Sequence, residues 1–183
     1  MSEPARIAIF GPESTGKTRL AQRLAAEFGE PWVPEFVRGF WEECGGTITA
    51  DDLDEIARGQ IATEEAAVAR AQRVVFCDTE LLTCVLWDDL LFPGACPPWV
   101  RAEAKGRARR YAVYLLCLTD VPFEEDPQRC FPDEAARQRA MVLWRAVLDD
   151  LGVPYVEIYG DWAERESRAI AAVRKVLASD KRG

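Results

Sequence analysis

The sequence predicts a single α/β domain over residues 1–183, a doubly wound three-layer sandwich on a five-stranded parallel sheet. Three observations predict it. Five short apolar runs, hydrophobic on both faces, alternate with stretches of helical periodicity, the pattern of a parallel sheet covered by helices on both sides. The first run leads directly into a glycine-bearing loop and a helix. Polar residues Glu35, Asp78, Asp120 and Asp161 fall at or just past the ends of the other four runs, where such sheets bind their ligands.

Taken in order, residues 6–10 (RIAIF) form a buried strand that stops at Gly11. Residues 17–28 carry Leu20, Ala21, Leu24, Ala25 and Phe28 at helical spacing, and Gly29 ends that helix. Residues 32–34 are briefly extended and lead to Glu35; residues 36–43 are helical up to the Gly45-Gly46 turn. Thr49 caps a helix expected over 51–71, with Asp51, Asp52 and Asp54 in its first turn, where negative charge suits the helix dipole. Residues 74–77 form a buried strand ending at Asp78, and Asp78 or Thr79 is placed to cap the helix expected over 80–91. A turn-rich break at 93–98 precedes a short basic helix at 98–109, then an apolar strand at 111–118. A Pro- and charge-rich loop (119–133), a long helix (134–151), a strand (155–158) and a closing helix (163–177) complete the chain.

Bulk properties narrow the function. An apolar share of 49% and a charged share of 30% are those of a soluble globular domain. No apolar run approaches the ~20 residues that span a bilayer, and no leader pattern opens the chain, so a cytoplasmic protein without a membrane partner is expected. A net charge of −8 argues against nucleic acid, whose phosphates call for surplus Lys and Arg. The six cysteines form no CxxC pair and there is no histidine, which leaves little to build a zinc site. Without histidine, any general base is a carboxylate, unless substrate positioning alone suffices. The number of subunits is open, and a homo-oligomer is compatible with the sequence.

The most specific motif is Gly11-Pro-Glu-Ser-Thr-Gly-Lys-Thr18, a full G-x-x-x-x-G-K-[ST] between a strand and a helix. Average residue frequencies give it on the order of once in 200 chains of this length, before that context is required. Backbone N–H groups from Ser14 through Thr15, Gly16 and Lys17 to Thr18 can converge on a phosphate at the positive end of the helix dipole. Lys17 then reaches the β- and γ-phosphates of ATP, and the Thr18 hydroxyl ligates Mg²⁺. Gly11 and Glu13 complete the nucleotide-binding loop. Val74-Val-Phe-Cys-Asp78 has the form of a Walker B strand, four apolar residues and then an acid that can hold the metal.

Glu35 follows the second strand, facing the γ-phosphate, where it can accept a proton from an attacking hydroxyl. Arg38, one turn on, can orient Glu35 or a substrate oxygen; the alternative is an ordinary helix start with a surface Arg. The segment 119–139 holds Asp126, Arg129, Arg137 and Arg139 and reads as a lid whose cations close over the transferring phosphate. Trp162, after the fifth strand, can pack on the nucleotide base, and Trp87 can stack on a flat or cationic acceptor ring; core packing is the alternative for both.

These residues together resemble the ribosylnicotinamide kinase domain at the C-terminal end of NadR proteins. The matching stretches are GPESTGKT (11–18), WVPEFVR (32–38), DDLDEIARGQ (51–60), FCDTELLT (76–83), YLLCLTDVPFEEDPQR (114–129) and VEIYGDWAER (156–165), in that order. The resemblance implies a three-layer P-loop kinase sandwich that uses ATP to phosphorylate the 5′-hydroxyl of nicotinamide riboside. It further implies Lys17 and Thr18 on the nucleotide and Mg²⁺, Glu35 near the ribose hydroxyl, Asp78 as the Walker-type acid, and Arg129 and Arg137 as lid cations. Only ten residues precede Gly11, so neither the adenylyltransferase domain nor the DNA-binding segment of NadR proteins is expected. Pro34 stands where family members carry an aromatic before the acid, with Phe36 after it. Two readings stand beside this one: a kinase for another nucleoside or nucleotide, and an ATP-binding regulatory module with little turnover.

Overall fold

The computed structural model describes residues 3–122 and 133–180. Among them, five strands form one sheet: β1 (Ala5–Phe10), β2 (Trp32–Val33), β3 (Val74–Asp78), β4 (Tyr111–Cys117) and β5 (Tyr155–Ile158). Their order is β2-β3-β1-β4-β5 and every pairing is parallel. Parallel neighbours require crossover connections. Helices α1 (Lys17–Phe28), α2 (Phe36–Glu43), α3 (Leu53–Val68), α4 (Leu81–Leu91), α5 (Pro98–Ala108) and α6 (Glu134–Leu151) supply them, and α7 (Trp162–Asp180) closes the chain.

The two-residue period of a strand sorts the core into two halves. Ile7 and Ile9 of β1, Val74 and Phe76 of β3, and Val113 and Leu115 of β4 pack with α1 and α7. Their alternates Ala8, Phe10, Val75, Cys77, Tyr114 and Leu116 pack with α3, α4, α5 and α6. The three central strands are therefore apolar on both faces, as the sequence runs require. The edge strand β5 is not: it leaves Val156 37% exposed and carries Glu157, because an edge is less fully covered by helices.

Local chemistry fixes the ends of the elements. Gly29 and Gly152 terminate α1 and α6 in the left-handed conformation, their amides bonding back to the helix. Thr49 and Asp52 form a capping box, but it closes a 3₁₀ turn over Ala50–Asp52. Helix α3 consequently starts at Leu53 rather than 51, and it ends at Val68, short of the expected 71. The cap of α4 also differs from expectation. Glu80 provides it, accepting from the Leu82 N–H at 2.8 Å, because Asp78 still belongs to β3 and Thr79 adopts φ +66°.

With β1 at the centre, the chain builds to one side through β2 and β3, then to the other through β4 and β5. Connections leaving such a switch point diverge and open a crevice at the strand ends. No described helix is long and apolar enough to cross a membrane.

Candidate active site

The crevice begins at the loop between β1 and α1. That loop uses backbone conformations most side chains disfavour: Gly11 at φ +143°, Ser14 at +55° and Gly16 at +78°. A Cβ on Gly11 would lie 2.6 Å from the Cys117 carbonyl oxygen of β4, so only glycine passes there. Gly16 is the N-cap of α1 and no side chain caps that helix. Its first-turn N–H groups remain available to an anion, aided by the helix dipole. Thr15 Oγ1 and Lys17 Nζ both donate to the Pro12 carbonyl, at 2.9 and 2.8 Å, which folds the lysine back across the loop.

Strand pairing brings the first acid to this loop. Ile9 of β1 is in register with Asp78 of β3, and Thr18 Oγ1 donates to Asp78 Oδ2 at 2.5 Å. The other oxygen, Asp78 Oδ1, is buried with no hydrogen-bond partner among the described residues. Burial pushes the Asp78 carboxyl up, while Lys17, the Thr18 hydroxyl and Arg38 pull it down. A hydroxyl beside an unsatisfied carboxylate oxygen is an oxygen donor set that suits a magnesium ion and its waters. The described residues hold no cluster of three or more His, Cys, Asp or Glu that would make a denser metal site.

The second acid comes from the start of α2. Phe36 N–H donates to Gln60 Oε1 of α3 at 3.0 Å, and the Phe36 ring packs so closely on Gly59 that a Cβ there would overlap it. Both contacts fix the backbone next to Glu35. Burial pushes the Glu35 carboxyl above the usual range; Lys17 and Arg38 oppose the shift, and Asp78 and Glu13 reinforce it. Lys17, Asp78, Arg38 and Glu35 thus form one electrostatic group, although far apart in sequence.

A cavity of about 880 Å³ joins these parts. At one end its wall is the loop itself, from Glu13 to Thr18, with Arg19, Gln22 and Trp162. The Trp162 ring lies against Gly16, and the Arg19 guanidinium stands 4.0 Å over it. At the other end Val37, Arg38 and Trp41 of α2, Ile56 and Gln60 of α3, and Thr83, Cys84, Trp87 and Asp88 of α4 close the wall. Trp87 does two things there, lining the cavity and meeting the core Trp144 edge-on at 5.3 Å. Asp88 is buried, and desolvation raises its carboxyl to about 6.

The structure sorts the polar residues at the strand ends into two kinds. Glu35 and Asp78 gather at the loop, whereas Asp120 pairs with the buried Arg165 and Asp161 caps α7 by bonding the Glu164 N–H. Arg165 carries no local signal in the sequence. Its guanidinium donates to the carbonyls of Thr15 at 3.2 Å, Leu118 at 3.0 Å and Gly160 at 3.0 Å, tying the P-loop to β4 and α7. Arg137 makes a similar tie from α6, reaching the carbonyls of Ser14, Thr119 and Val121 at 3.5, 3.4 and 3.1 Å. Of the segment 119–139, residues 123–132, Arg129 among them, lie outside the described residues. Gln60, Thr83 and Asp88 also reach the cavity; the one trace of them in the sequence is a polar residue on a helix face otherwise bound for the core.

A family model described as an AAA domain matches residues 6–165. The chain belongs to that family. This AAA domain is 26% identical over 180 residues to the trifunctional NAD biosynthesis/regulator protein NadR of Escherichia coli (strain K12). That alignment covers 96% of the chain and 43% of NadR, so the chain spans less than half the length of this relative. A crystal structure of NadR protein in complex with NR matches with a TM-score of 0.78 and 22% identity, over 96% of this chain and 52% of that one. A deoxyadenosine kinase from M. mycoides, with products bound, matches with a TM-score of 0.63 and 8% identity, over 93% and 99%. At such identities the structural matches establish a shared fold, a three-layer α/β sandwich on a parallel sheet.

Proposed function

We propose that this chain is an ATP- and magnesium-dependent kinase that phosphorylates the 5′-hydroxyl of nicotinamide riboside to give nicotinamide mononucleotide. One observation carries the reading: a single cavity places a carboxyl of raised pKa, Glu35, across from a P-loop whose Thr18 is bonded to Asp78. Phosphate binding alone requires the loop and not Glu35, so the arrangement favours turnover over sensing. Likeness to NadR, among whose structures is one in complex with NR, supports the choice of acceptor.

Lys17 and the N–H groups opening α1 hold the β- and γ-phosphates. Thr18 and Asp78 would hold magnesium, which when bound neutralises charge on the phosphates. Glu35 accepts the proton of the 5′-hydroxyl as that oxygen bonds to the γ-phosphorus and the bond to the ADP oxygen breaks. A carboxyl raised by burial is the stronger base for that transfer. Arg38 balances Glu35, and Trp87 offers an aromatic wall to a flat cationic base. The nucleotide base lies toward Trp162 and Arg19.

Steady-state ADP release with ATP, Mg²⁺ and a panel of acceptors tests the reading. Nicotinamide riboside is expected to be preferred over thymidine, uridine and shikimate. Release at background with the riboside, or preference for another acceptor, would sink it.

A further inference from the structure

The acceptor half of the cavity contains two buried side-chain atoms that no described residue satisfies. Gln60 is 1% exposed and lines the wall from α3. Its amide orientation follows from its neighbour: the Phe36 N–H is a donor, so the group facing it at 3.0 Å is the oxygen, Oε1. The amide NH₂ therefore points away from Phe36, and Nε2 has no partner among the described residues. Thr83 of α4, 2% exposed, lines the same wall, and its Oγ1 is likewise without a partner. Around them the wall is largely apolar, with Ile56 and Trp87. Buried polar atoms are almost always paired, so two orphans in one cavity wall mark where a ligand's polar groups dock.

The donor types limit that ligand. Gln60 offers only N–H, which calls for an acceptor oxygen. Thr83 Oγ1 can accept as well as donate. A carboxamide presents both complements in one flat group, a carbonyl oxygen and an N–H. We propose that Gln60 and Thr83 are the specificity-determining residues of the acceptor site. Gln60 Nε2 donates to the carboxamide oxygen of the acceptor's base, and Thr83 Oγ1 accepts from its N–H. This rests on the proposed nicotinamide riboside kinase activity and extends it to the recognised group. A site of this kind rejects acceptors that lack the group, because their binding would bury both orphans for good.

The test crosses three acceptors with two variants. The acceptors are nicotinamide riboside, the 3-acetylpyridinium riboside, which keeps the carbonyl but not the N–H, and the unsubstituted pyridinium riboside, which has neither. All three carry the same ring charge. For the wild type kcat/KM is expected to fall roughly tenfold at each step. Gln60→Met also removes the acceptor of the Phe36 N–H, so it is expected to lower kcat/KM for all three, but about 10- to 100-fold further for the two carbonyl-bearing acceptors than for the unsubstituted one. Thr83→Val, nearly isosteric and losing no side-chain hydrogen bond to a described residue, is expected to bring the carboxamide down to the acetyl level. It tests the same site should Gln60→Met fail to fold. A wild type that treats the three alike overturns the inference, as does a Gln60→Met loss equal for all three, which would leave Gln60 a mere anchor for Phe36. In both cases the kinase reading stands. A wild type that turns over none of the three removes the reading and the inference together.

Discussion

Glu35 and Asp88 are both pushed upward by burial in one cavity, with different consequences. At Glu35 the positive charges of Lys17 and Arg38 oppose the shift and favour the carboxylate form that a base requires. Glu35→Gln keeps the size and the α2 start but cannot accept that proton. It is expected to lower kcat by about 10²- to 10⁴-fold while the Kd of an ATP analogue, read by calorimetry, stays within twofold. Undiminished turnover would remove Glu35 as the base. Asp88 is raised to about 6 by desolvation and Asp89, against the pull of the Cys96 contact and Arg101. Above that pH it presents a carboxylate to the proposed acceptor wall. The KM for a pyridinium acceptor is therefore expected to rise as pH falls through about 6, and Asp88→Asn should flatten that profile. The sign for stability is the reverse. A raised carboxyl stabilises the fold in its protonated state, and that contribution is lost as pH rises through about 6. Asp88→Asn should accordingly melt no lower than wild type at neutral pH, and a marked drop would contradict the burial cost assigned here.

At the scale of elements, the loop holds its shape because two arginines from distant helices hold its carbonyls. Arg165 is 1% exposed and reaches Thr15, Leu118 and Gly160 as well as Asp120. Arg165→Met fills similar volume but leaves those buried oxygens without donors. A loss of about 2–4 kcal/mol is expected from urea unfolding, with weaker binding of an ATP analogue. An unchanged midpoint would show that the contacts contribute little. These ties also explain what the sequence could and could not reveal. The P-loop, the strand ending at Asp78 and the glycine stops are legible because each depends on a few adjacent residues. Arg165 and Thr15 stand 150 positions apart, so nothing local announces their bond. The cap of α4 was likewise obscured, because Asp, Thr and Glu run together at 78–80 and only the strand's extent decides among them. Gln60 and Thr83 look like ordinary helix residues until α3 and α4 are packed together.

For the whole molecule, the order β2-β3-β1-β4-β5 concentrates the chemistry. It sets the loop of β1 beside the end of β3, and residues of α2, α3 and α4 line the rest of the same cavity. The proposed donor and acceptor ends then share one cavity of about 880 Å³, which in the proposed reaction lets phosphate pass directly between two bound small molecules. That shared cavity is the central claim, and transfer of label tests it most directly. Incubated with γ-³²P-ATP, Mg²⁺ and nicotinamide riboside, the protein is expected to place the label on the riboside as a 5′-phosphomonoester, with ADP formed in equal amount. Label released only as inorganic phosphate, or retained in ATP at enzyme concentrations that saturate binding, would contradict it.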